Sequence, residues 1–284
     1  MTSKSVKSKL SADVARYLAG HPSHRDWVTG AVPLTRAVPI RSSTWRIWLQ
    51  QGGDQARHKG FVGVLPPAIA HAAVSVLDGL HPANGLRAGA DKRIDRADLH
   101  NLASAVAASR KSDADLVALW VGTMMWGSGM TNGRGPWRTA QGLGDERLTG
   151  VLRQTFGDVT NGHAETAYDG FELTGSGESF FTKWFWAASL AEPNASFRPL
   201  ILDLRVRAAL RLVGMHASGA WPPPYGASGY VRYLRLLHAV ATAVHAEGFP
   251  GVCAERLEWL LYDRPPHKDQ TEHCFVVWRA TADR

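Results

Sequence analysis

Cysteine is scarce in this chain of 284 residues, in which only Cys253 and Cys274 occur. Two cysteines without a secretory leader are typical of reduced thiols rather than of a disulfide framework, so we expect a cytoplasmic protein. The basic start "MTSKSVKSKL" is not followed by an apolar segment, and no apolar run approaches the length that crosses a bilayer. The sequence therefore predicts neither a signal peptide nor a membrane anchor.

Motifs for cofactors and metals are also missing. The glycine-rich stretch "GSGMTNGRGP" (127–136) lacks the Gly-Lys-Ser/Thr of a P-loop and follows a helical pattern rather than a strand, which disfavours a nucleotide cofactor. The chain has no His-Glu-x-x-His motif of a metalloprotease. The spacing of Cys253, His267, His273 and Cys274 fits no familiar zinc finger. We expect no metal and no cofactor.

Positive charge is in excess, with 32 lysines and arginines against 25 aspartates and glutamates and a formal net charge of +7. Basic side chains gain affinity for phosphates by releasing condensed counterions, so this excess favours a polyanionic partner without identifying it. A hydrophobic fraction of 45% with 20% charged residues indicates a soluble globular protein rather than a disordered or fibrous one.

Helical patterns dominate the chain. "SADVARYLAG" runs from a capping Ser11 to a terminating Gly20, and "SDADLVALWVGTMMW" opens with Ser112, which is followed three places later by Asp115. Amphipathic spacing predicts further helices over 95–109, 146–156, 178–191, 204–213 and 228–248. The protein is therefore predicted to be mainly α.

Other segments resist a helical interpretation. Residues 27–67 are richer in proline, glycine and β-branched residues, so any small sheet is expected there, near the N-terminus. The proline and glycine clusters at 127–136 and 221–229 are predicted to be loops between helices rather than domain linkers. We expect residues 1–10 to form a disordered basic terminus and residues 11–284 to form a single unit.

A glycine pair precedes one of the predicted helices. In "LTGSGES", Gly175 and Gly177 stand ahead of a helix that begins near Glu178, where free backbone N–H groups and the positive helix end can face a phosphate. Taken alone, this pattern is more often an ordinary turn before a helix.

The stretch from 173 to 212 resembles the helix-hairpin-helix DNA glycosylases. These enzymes typically show a Leu-Pro-Gly-Val-Gly hairpin, a lysine or serine, a helix, and an aspartate before another helix. The segment "LTGSG" matches the hairpin with Thr174 in place of proline and Ser176 in place of valine, and "ILDLRV" matches the aspartate segment with Asp203. More narrowly, "ESFFTKWFWAASL" followed by "PLILDLRV" resembles the bacterial glycosylases of the 8-oxoguanine (OGG) fold.

The resemblance implies a two-lobed, mainly helical architecture, with the lobes around a cleft and the helix-hairpin-helix region near residues 163–213. It further implies a monomer that acts on double-stranded DNA carrying a modified base, with Gly175, Ser176 and Gly177 contacting the DNA. Some relatives hold an iron–sulfur cluster through four cysteines, which the two cysteines of this chain cannot supply.

Asp203 is the leading catalytic candidate under this resemblance. A carboxylate beside the sugar stabilises the oxocarbenium character that develops as a glycosidic bond breaks, and it can also orient water. Alternatively, Asp203 only caps the helix that begins near Leu204. The two roles are compatible.

Lys183 and Ser179 compete for a second catalytic position. Lys183 lies 20 residues before Asp203, close to the spacing in relatives that attack the sugar through an amine and form a Schiff base. Alignment on the glycines instead places Ser179 there, as in relatives that only hydrolyse. The two residues are four apart and share one helix face, with about 6 Å of axial rise between them. Lys183 could also be a solvated surface charge, although its aromatic neighbours favour a functional role.

The eleven tryptophans supply candidates for a base pocket, because a flipped base needs flat apolar walls to replace the stacking it loses. Trp126 and Trp184 are the predicted walls, and Asn132 and Arg134 are the predicted polar contacts, although most of the tryptophans must be core residues.

The resemblance thus implies an enzyme that flips a modified base from duplex DNA and cleaves its N-glycosidic bond, with simple hydrolysis slightly favoured over strand cleavage. 8-oxoguanine is one candidate substrate. A hypermodified base such as glucosylated hydroxymethylcytosine is another, because some bacterial relatives resemble phage-defence factors. A DNA-binding module without catalysis and an RNA-binding helical protein are the alternatives from other classes. The sequence leaves open the excised base, the preferred opposite base and whether the strand is nicked.

Overall fold

A computed structural model describes residues 3–30, 37–51, 65–129, 133–192, 197–214 and 225–262. Within these ranges the chain forms thirteen helices and three short strands. The helices are α1 (Ser3–Gly20), α2 (Pro22–Val28), α3 (Ser42–Gln51), α4 (Pro67–Gly79), α5 (Arg96–Ala108), α6 (Asp113–Gly127), α7 (Arg134–Leu143), α8 (Leu148–Thr160), α9 (Ala164–Gly170), α10 (Glu178–Ser189), α11 (Leu204–Gly214), α12 (Ala227–Ala246) and α13 (Ala254–Tyr262). The strands are β1 (Val38–Ile40), β2 (His81–Pro82) and β3 (Lys92–Ile94). The prediction of a mainly α protein with a small β element is confirmed.

The chain divides into two compact units. The central unit is Thr35–Pro199, and the terminal unit combines Met1–Leu34 with Leu200–Arg284. The hairpin candidates therefore belong to the central unit, whereas Asp203 belongs to the terminal unit. The expected arrangement of two helical lobes around a cleft stays a prediction.

Helix α6 forms the core of the central unit. It packs against α4, α5, α7, α8 and α10, and almost every side chain from Leu116 to Trp126 is buried. A helix that is surrounded in this way needs an apolar surface on all sides, which explains why "LVALWVGTMMW" has no polar face. Its predicted start is confirmed, because the Ser112 hydroxyl accepts a hydrogen bond from the Asp115 N–H at 3.2 Å.

The sheet is small and antiparallel, with the strand order β1-β3-β2. Val38 pairs with Ile94 in one ladder, and His81 pairs with Arg93 in the other. Only β1 lies within the range 27–67, so the predicted location of the sheet is wrong for β2 and β3. Strands of two or three residues are too short to show an alternating pattern, and their pairing is fixed by contacts distant in sequence.

In its described residues, the terminal unit consists of helices and the segments that connect them. Helix α1 packs against α12, and α13 packs against α2, α11 and α12. Helix α1 begins at Ser3 rather than at the predicted cap, so residues 3–10, which we expected to be disordered, form its first turns. This segment contains no glycine or proline, and its lysines favour a helix.

Both predicted loops are shorter than expected. Helix α7 already begins at Arg134, and α12 already begins at Ala227. Pro136 lies in the first turn of α7, where proline is tolerated because an N–H there has no intrahelical acceptor. Residues 130–132 and 215–224 lie outside the described residues.

Candidate functional site

A tight turn joins α9 to α10 at the predicted hairpin. The Ser176 N–H donates to the Leu173 carbonyl oxygen at 3.1 Å, and Gly175, the third residue of this turn, has a φ of +81°. The φ of Thr174 is not positive, so the turn is of type II, which requires glycine at the third position. A Cβ on Gly175 would also lie only 2.6 Å from the carbonyl oxygen of Arg138 in α7. Glycine is therefore required here for two independent reasons.

Thr174 occupies the position where the resembling family usually has proline. Its hydroxyl donates to Oδ2 of Asp145 at 3.4 Å, and its N–H lies 3.5 Å from the same oxygen. Proline has no N–H to donate, so the threonine gives the turn an anchor that proline cannot supply. The Arg147 guanidinium contacts both carboxylate oxygens of Asp145 and, as the largest influence, lowers the pKa of that carboxyl.

Ser176 points into the protein rather than outward. It is buried, and its hydroxyl lies 3.9 Å from Sδ of Met124 in α6. The valine that the typical hairpin has at this position would also point inward. Any contact between this residue and DNA would therefore be made by its backbone.

The start of α10 presents free donors to the surface. Gly177 caps the helix with an ordinary φ of −74°, and a Cβ added there would meet no atom within 4 Å. In the described part of the chain, the N–H groups of Gly177 and Ser179 have no acceptor. Such a helix end carries partial positive charge and is suited to bind a phosphate oxygen.

Aromatic packing holds α9 and α10 together. The Tyr168 hydroxyl donates to Oε1 of Glu178 at 2.6 Å, and the Tyr168 ring meets the Phe181 ring edge-on at 4.8 Å. Phe171 packs against both Phe181 and Phe185, with ring centroids 5.4 and 5.9 Å apart. The two helices therefore place the turn rigidly.

Lys183 is buried, with only 7% of its surface exposed. Its Nζ donates to the carbonyl oxygen of Ser179 at 2.8 Å and lies 5.8 Å from the centre of the Phe180 ring. Its aliphatic chain covers Gly127, where a Cβ would lie 2.9 Å from Cδ of Lys183. The alternative of a solvated surface charge is therefore wrong. Ser179 and Lys183 do lie on one face of α10, as predicted.

Asp203 caps α11 and is 8% exposed. Its Oδ1 accepts hydrogen bonds from the N–H groups of Arg205 at 2.9 Å and Val206 at 3.0 Å. The capping role is confirmed, and it fixes the orientation of the carboxylate. A catalytic role remains compatible with this geometry.

Sequence reasoning missed the side chains that hold the segment before Asp203. The hydroxyls of Tyr230 and Tyr233 in α12 donate to the carbonyl oxygens of Leu200 and Ile201 at 2.8 and 2.9 Å. Oε2 of Glu258 in α13 accepts from the Ile201 N–H at 3.4 Å. Burial raises the pKa of Tyr233 well above its ordinary value, and the Glu258 carboxylate raises it further. The only sequence signal was the i, i+3 spacing of the two tyrosines.

The predicted base-pocket residues have different environments. Trp184 is fully buried and its Nε1 donates to Oγ1 of Thr155 at 3.0 Å, so its packing is that of a core residue. Trp126 is nine-tenths buried and stacks on Trp186 with ring centroids 5.4 Å apart. Arg134 is exposed at the start of α7. Asn132 lies outside the described residues, and the pocket itself stays a prediction.

Arg138 is a further residue that sequence reasoning missed. Its guanidinium carbon lies 5.6 Å from the centre of the Phe180 ring, and its backbone contacts Gly175 of the turn. Arg134 lies one helical turn before it on the same face of α7. Arg138 therefore places positive charge beside the hairpin.

The described ranges contain no group of three or more His, Cys, Asp or Glu side chains that could hold a metal ion. Cys253 is an exposed free thiol, whereas His267, His273 and Cys274 lie outside the described residues. None of the described helices is both long enough and apolar enough to span a membrane.

Comparison with known proteins identifies a family. Residues 33–262, most of the chain, match the model of a family described as "Putative 8-oxoguanine DNA glycosylase OGG-like protein". Searches of curated proteins and of solved structures found no match. The matched range includes the glycine turn, α10 and the cap of α11. The chain therefore belongs to the OGG-like family of DNA glycosylases.

Proposed function

We propose that this glycosylase flips a modified base out of duplex DNA and hydrolyses its N-glycosidic bond, leaving an abasic site. The observation that carries this proposal is the state of Asp203, a carboxylate with little exposed surface whose direction is fixed by two backbone donors. A fixed carboxylate can stabilise the positive charge that grows on the sugar as the base departs. The same group can orient the water that then attacks the sugar.

The glycine turn and the start of α10 are proposed to hold the DNA backbone. The N–H groups of Gly177 and Ser179, which have no acceptor in the described residues, offer hydrogen bonds to phosphate oxygens, and the helix end adds positive charge. Arg138 adds charge beside this turn, and Arg134 is proposed to add more from one helical turn away. These contacts position the strand without reading its sequence, so affinity should fall steeply with salt.

Hydrolysis is proposed in preference to attack by an amine. The Nζ of Lys183 donates to the carbonyl oxygen of Ser179 in its own helix, and a nucleophilic amine would have to leave this bond and lose a proton. The glycine alignment also places Ser179, rather than Lys183, at the second catalytic position. Lys183 then serves mainly to add positive charge near the hairpin.

A hypermodified base such as glucosylated hydroxymethylcytosine is the proposed substrate, with defence against phage as the role. The second candidate is repair of 8-oxoguanine, which the description of the matching family favours. Fold-level similarity does not choose between them, since one fold serves many substrates.

The function is tested with Asp203→Asn and the matched control Asp95→Asn. Asp95 caps α5 in the same way, with Oδ1 accepting from the N–H groups of Ala97 at 2.8 Å and Asp98 at 3.3 Å. Asparagine caps helices as well as aspartate does, so both variants should fold. We expect Asp203→Asn to slow base release by on the order of 10²–10³-fold, as for removal of an electrostatic stabiliser, and Asp95→Asn to leave it unchanged.

Two DNA probes are used, phage genomic DNA carrying glucosylated hydroxymethylcytosine and a duplex oligonucleotide with one 8-oxoguanine. Released bases are identified by mass spectrometry. A folded Asp203→Asn protein that releases base as fast as the wild type would overturn the proposed mechanism. DNA binding by the wild type without release from either probe would favour the non-catalytic binding module.

A further inference from the structure

The segment Leu200–Leu202 runs directly into Asp203 and is buried without belonging to any helix or strand. Buried backbone groups outside regular structure need partners from elsewhere, because an unpaired one costs free energy comparable to a lost hydrogen bond. Leu200 and Ile201 obtain those partners from three side chains, which are the hydroxyls of Tyr230 and Tyr233 and the carboxylate of Glu258. Three side chains from two other helices thus determine where this short segment lies.

The cap alone does not fix Asp203 in the protein. The bonds from Arg205 and Val206 hold its carboxylate to the start of α11 and set its direction relative to that helix. The residues before it must also be held if the carboxylate is to keep one position relative to α12 and α13. Tyr230 and Tyr233 are three residues apart on one face of α12 and are both fully buried, so their hydroxyls have fixed directions.

We propose that Tyr230, Tyr233 and Glu258 are positioning residues, which hold the backbone before Asp203 so that its carboxylate keeps a catalytic geometry. This inference rests on the proposed role of Asp203. None of the three needs to touch the DNA. Their contribution is to keep the carboxylate from shifting, and misplacement of a catalytic group by 1 Å can cost on the order of 10²-fold in rate.

Tyr233 is suited to a permanent donor role. Its pKa is raised well above the ordinary value by burial, so its hydroxyl keeps its proton over the whole range in which the enzyme is assayed. Replacing it by phenylalanine removes only the hydroxyl and leaves the buried Ile201 carbonyl without that donor. The ring, which fills the core, is unchanged.

The experiment compares Tyr233→Phe and Tyr230→Phe with the control Tyr17→Phe. Tyr17 is also a buried tyrosine of the terminal unit, and its hydroxyl bonds to Nδ1 of His24 at 2.6 Å, so the control loses an equivalent hydrogen bond elsewhere. For Glu258, Glu258→Gln keeps an oxygen that accepts from the Ile201 N–H, whereas Glu258→Ala removes it. Glutamine should therefore preserve most of the activity that alanine loses.

The first readout is amide hydrogen exchange at Arg205 and Val206, which needs no substrate. We expect exchange at these capped amides to quicken about tenfold or more in Tyr233→Phe and to stay unchanged in Tyr17→Phe. The second readout is steady-state base release from the two DNA probes described above. We expect kcat to fall about ten- to a hundredfold, with KM and DNA affinity within about twofold of wild type.

Adding Tyr233→Phe to Asp203→Asn separates this inference from the proposed function. If the tyrosine acts through Asp203, the double variant is no slower than Asp203→Asn alone. The positioning role would be overturned if Tyr233→Phe showed wild-type amide exchange and wild-type kcat. If Asp203→Asn were inactive in the same experiment, the proposed function would still stand. An active Asp203→Asn would instead overturn the proposed function, while faster exchange would still support the structural restraint.

Discussion

Gly175 and Gly177 have opposite tolerance for a side chain, although they are two residues apart in one turn. At Gly175 the φ of +81° disfavours any other residue, and a Cβ would press on the Arg138 carbonyl oxygen at 2.6 Å. At Gly177 the φ is −74° and a Cβ would meet nothing within 4 Å. Alanine at these two positions therefore separates the folding of the hairpin from its contact with DNA.

The magnitudes follow from these two environments. Left-handed backbone costs an alanine about 1–2 kcal/mol, and the clash with the α7 backbone adds about 1–3 kcal/mol, so Gly175→Ala should lose roughly 2–5 kcal/mol of unfolding free energy. In a protein of this size, that loss lowers Tm by roughly 4–20 °C. Gly177→Ala should lose no more than about 1 kcal/mol, which is the cost of a poorer helix cap. Its methyl group, however, would stand beside the two free N–H donors.

The assay pairs thermal unfolding with DNA affinity at several salt concentrations. We expect Gly177→Ala to keep nearly wild-type Tm while binding DNA about ten- to a hundredfold more weakly, since a hydrogen bond to a charged group contributes about 1.5–3 kcal/mol. The weakening should be similar for DNA of any sequence. Wild-type affinity in Gly177→Ala would refute the phosphate site. Wild-type stability in Gly175→Ala would refute the turn geometry.

Two further predictions concern Asp145 and Lys183. The Arg147 guanidinium lowers the pKa of Asp145, so this carboxylate stabilises the fold above the unfolded-state pKa of about 3.9, and the contribution is lost as pH falls through the lower folded value. Acid unfolding below about pH 4 should therefore be less steep in Asp145→Asn than in wild type, and superimposable curves would contradict this. For Lys183, we expect borohydride to trap little covalent enzyme–DNA adduct; efficient trapping that Lys183→Ala abolishes, with strand cleavage keeping pace with base release, would show that the amine attacks the sugar.

The helices that the sequence predicted well are those whose ends carry local signals. Ser112 with Asp115 marks the start of α6, and Asp95 with Asp98 forms a capping box at the start of α5. Helix α7 escaped prediction because "RGPWRTAQGL" contains two glycines and a proline, which argue against a helix locally. Its glycines permit close packing instead, since a Cβ on Gly142 would lie 2.5 Å from the Trp120 ring. Tertiary contact thus overrides local propensity.

The candidate site shows the same difference between local sequence signals and tertiary contacts. The positions of Gly175 and Asp203 were predictable because their roles depend on the backbone around them and leave a short motif. Arg138 and Tyr233 were not, because they come from helices outside that motif and meet it only after folding. Trp184 was predicted to be a pocket wall because it lies beside Lys183, and its indole N–H is bonded to Thr155 in the core.

The composition of the terminal unit has a consequence for synthesis on the ribosome. Helix α1 packs against α12, whose residues are translated more than 200 positions later. At bacterial and eukaryotic elongation rates of about 5–20 residues per second, α1 waits on the order of 10–40 s for this partner, while all of the central unit has already been made. The nascent chain therefore contains the glycine turn before it contains Asp203 and the side chains of α12 and α13 that hold the backbone in front of Asp203.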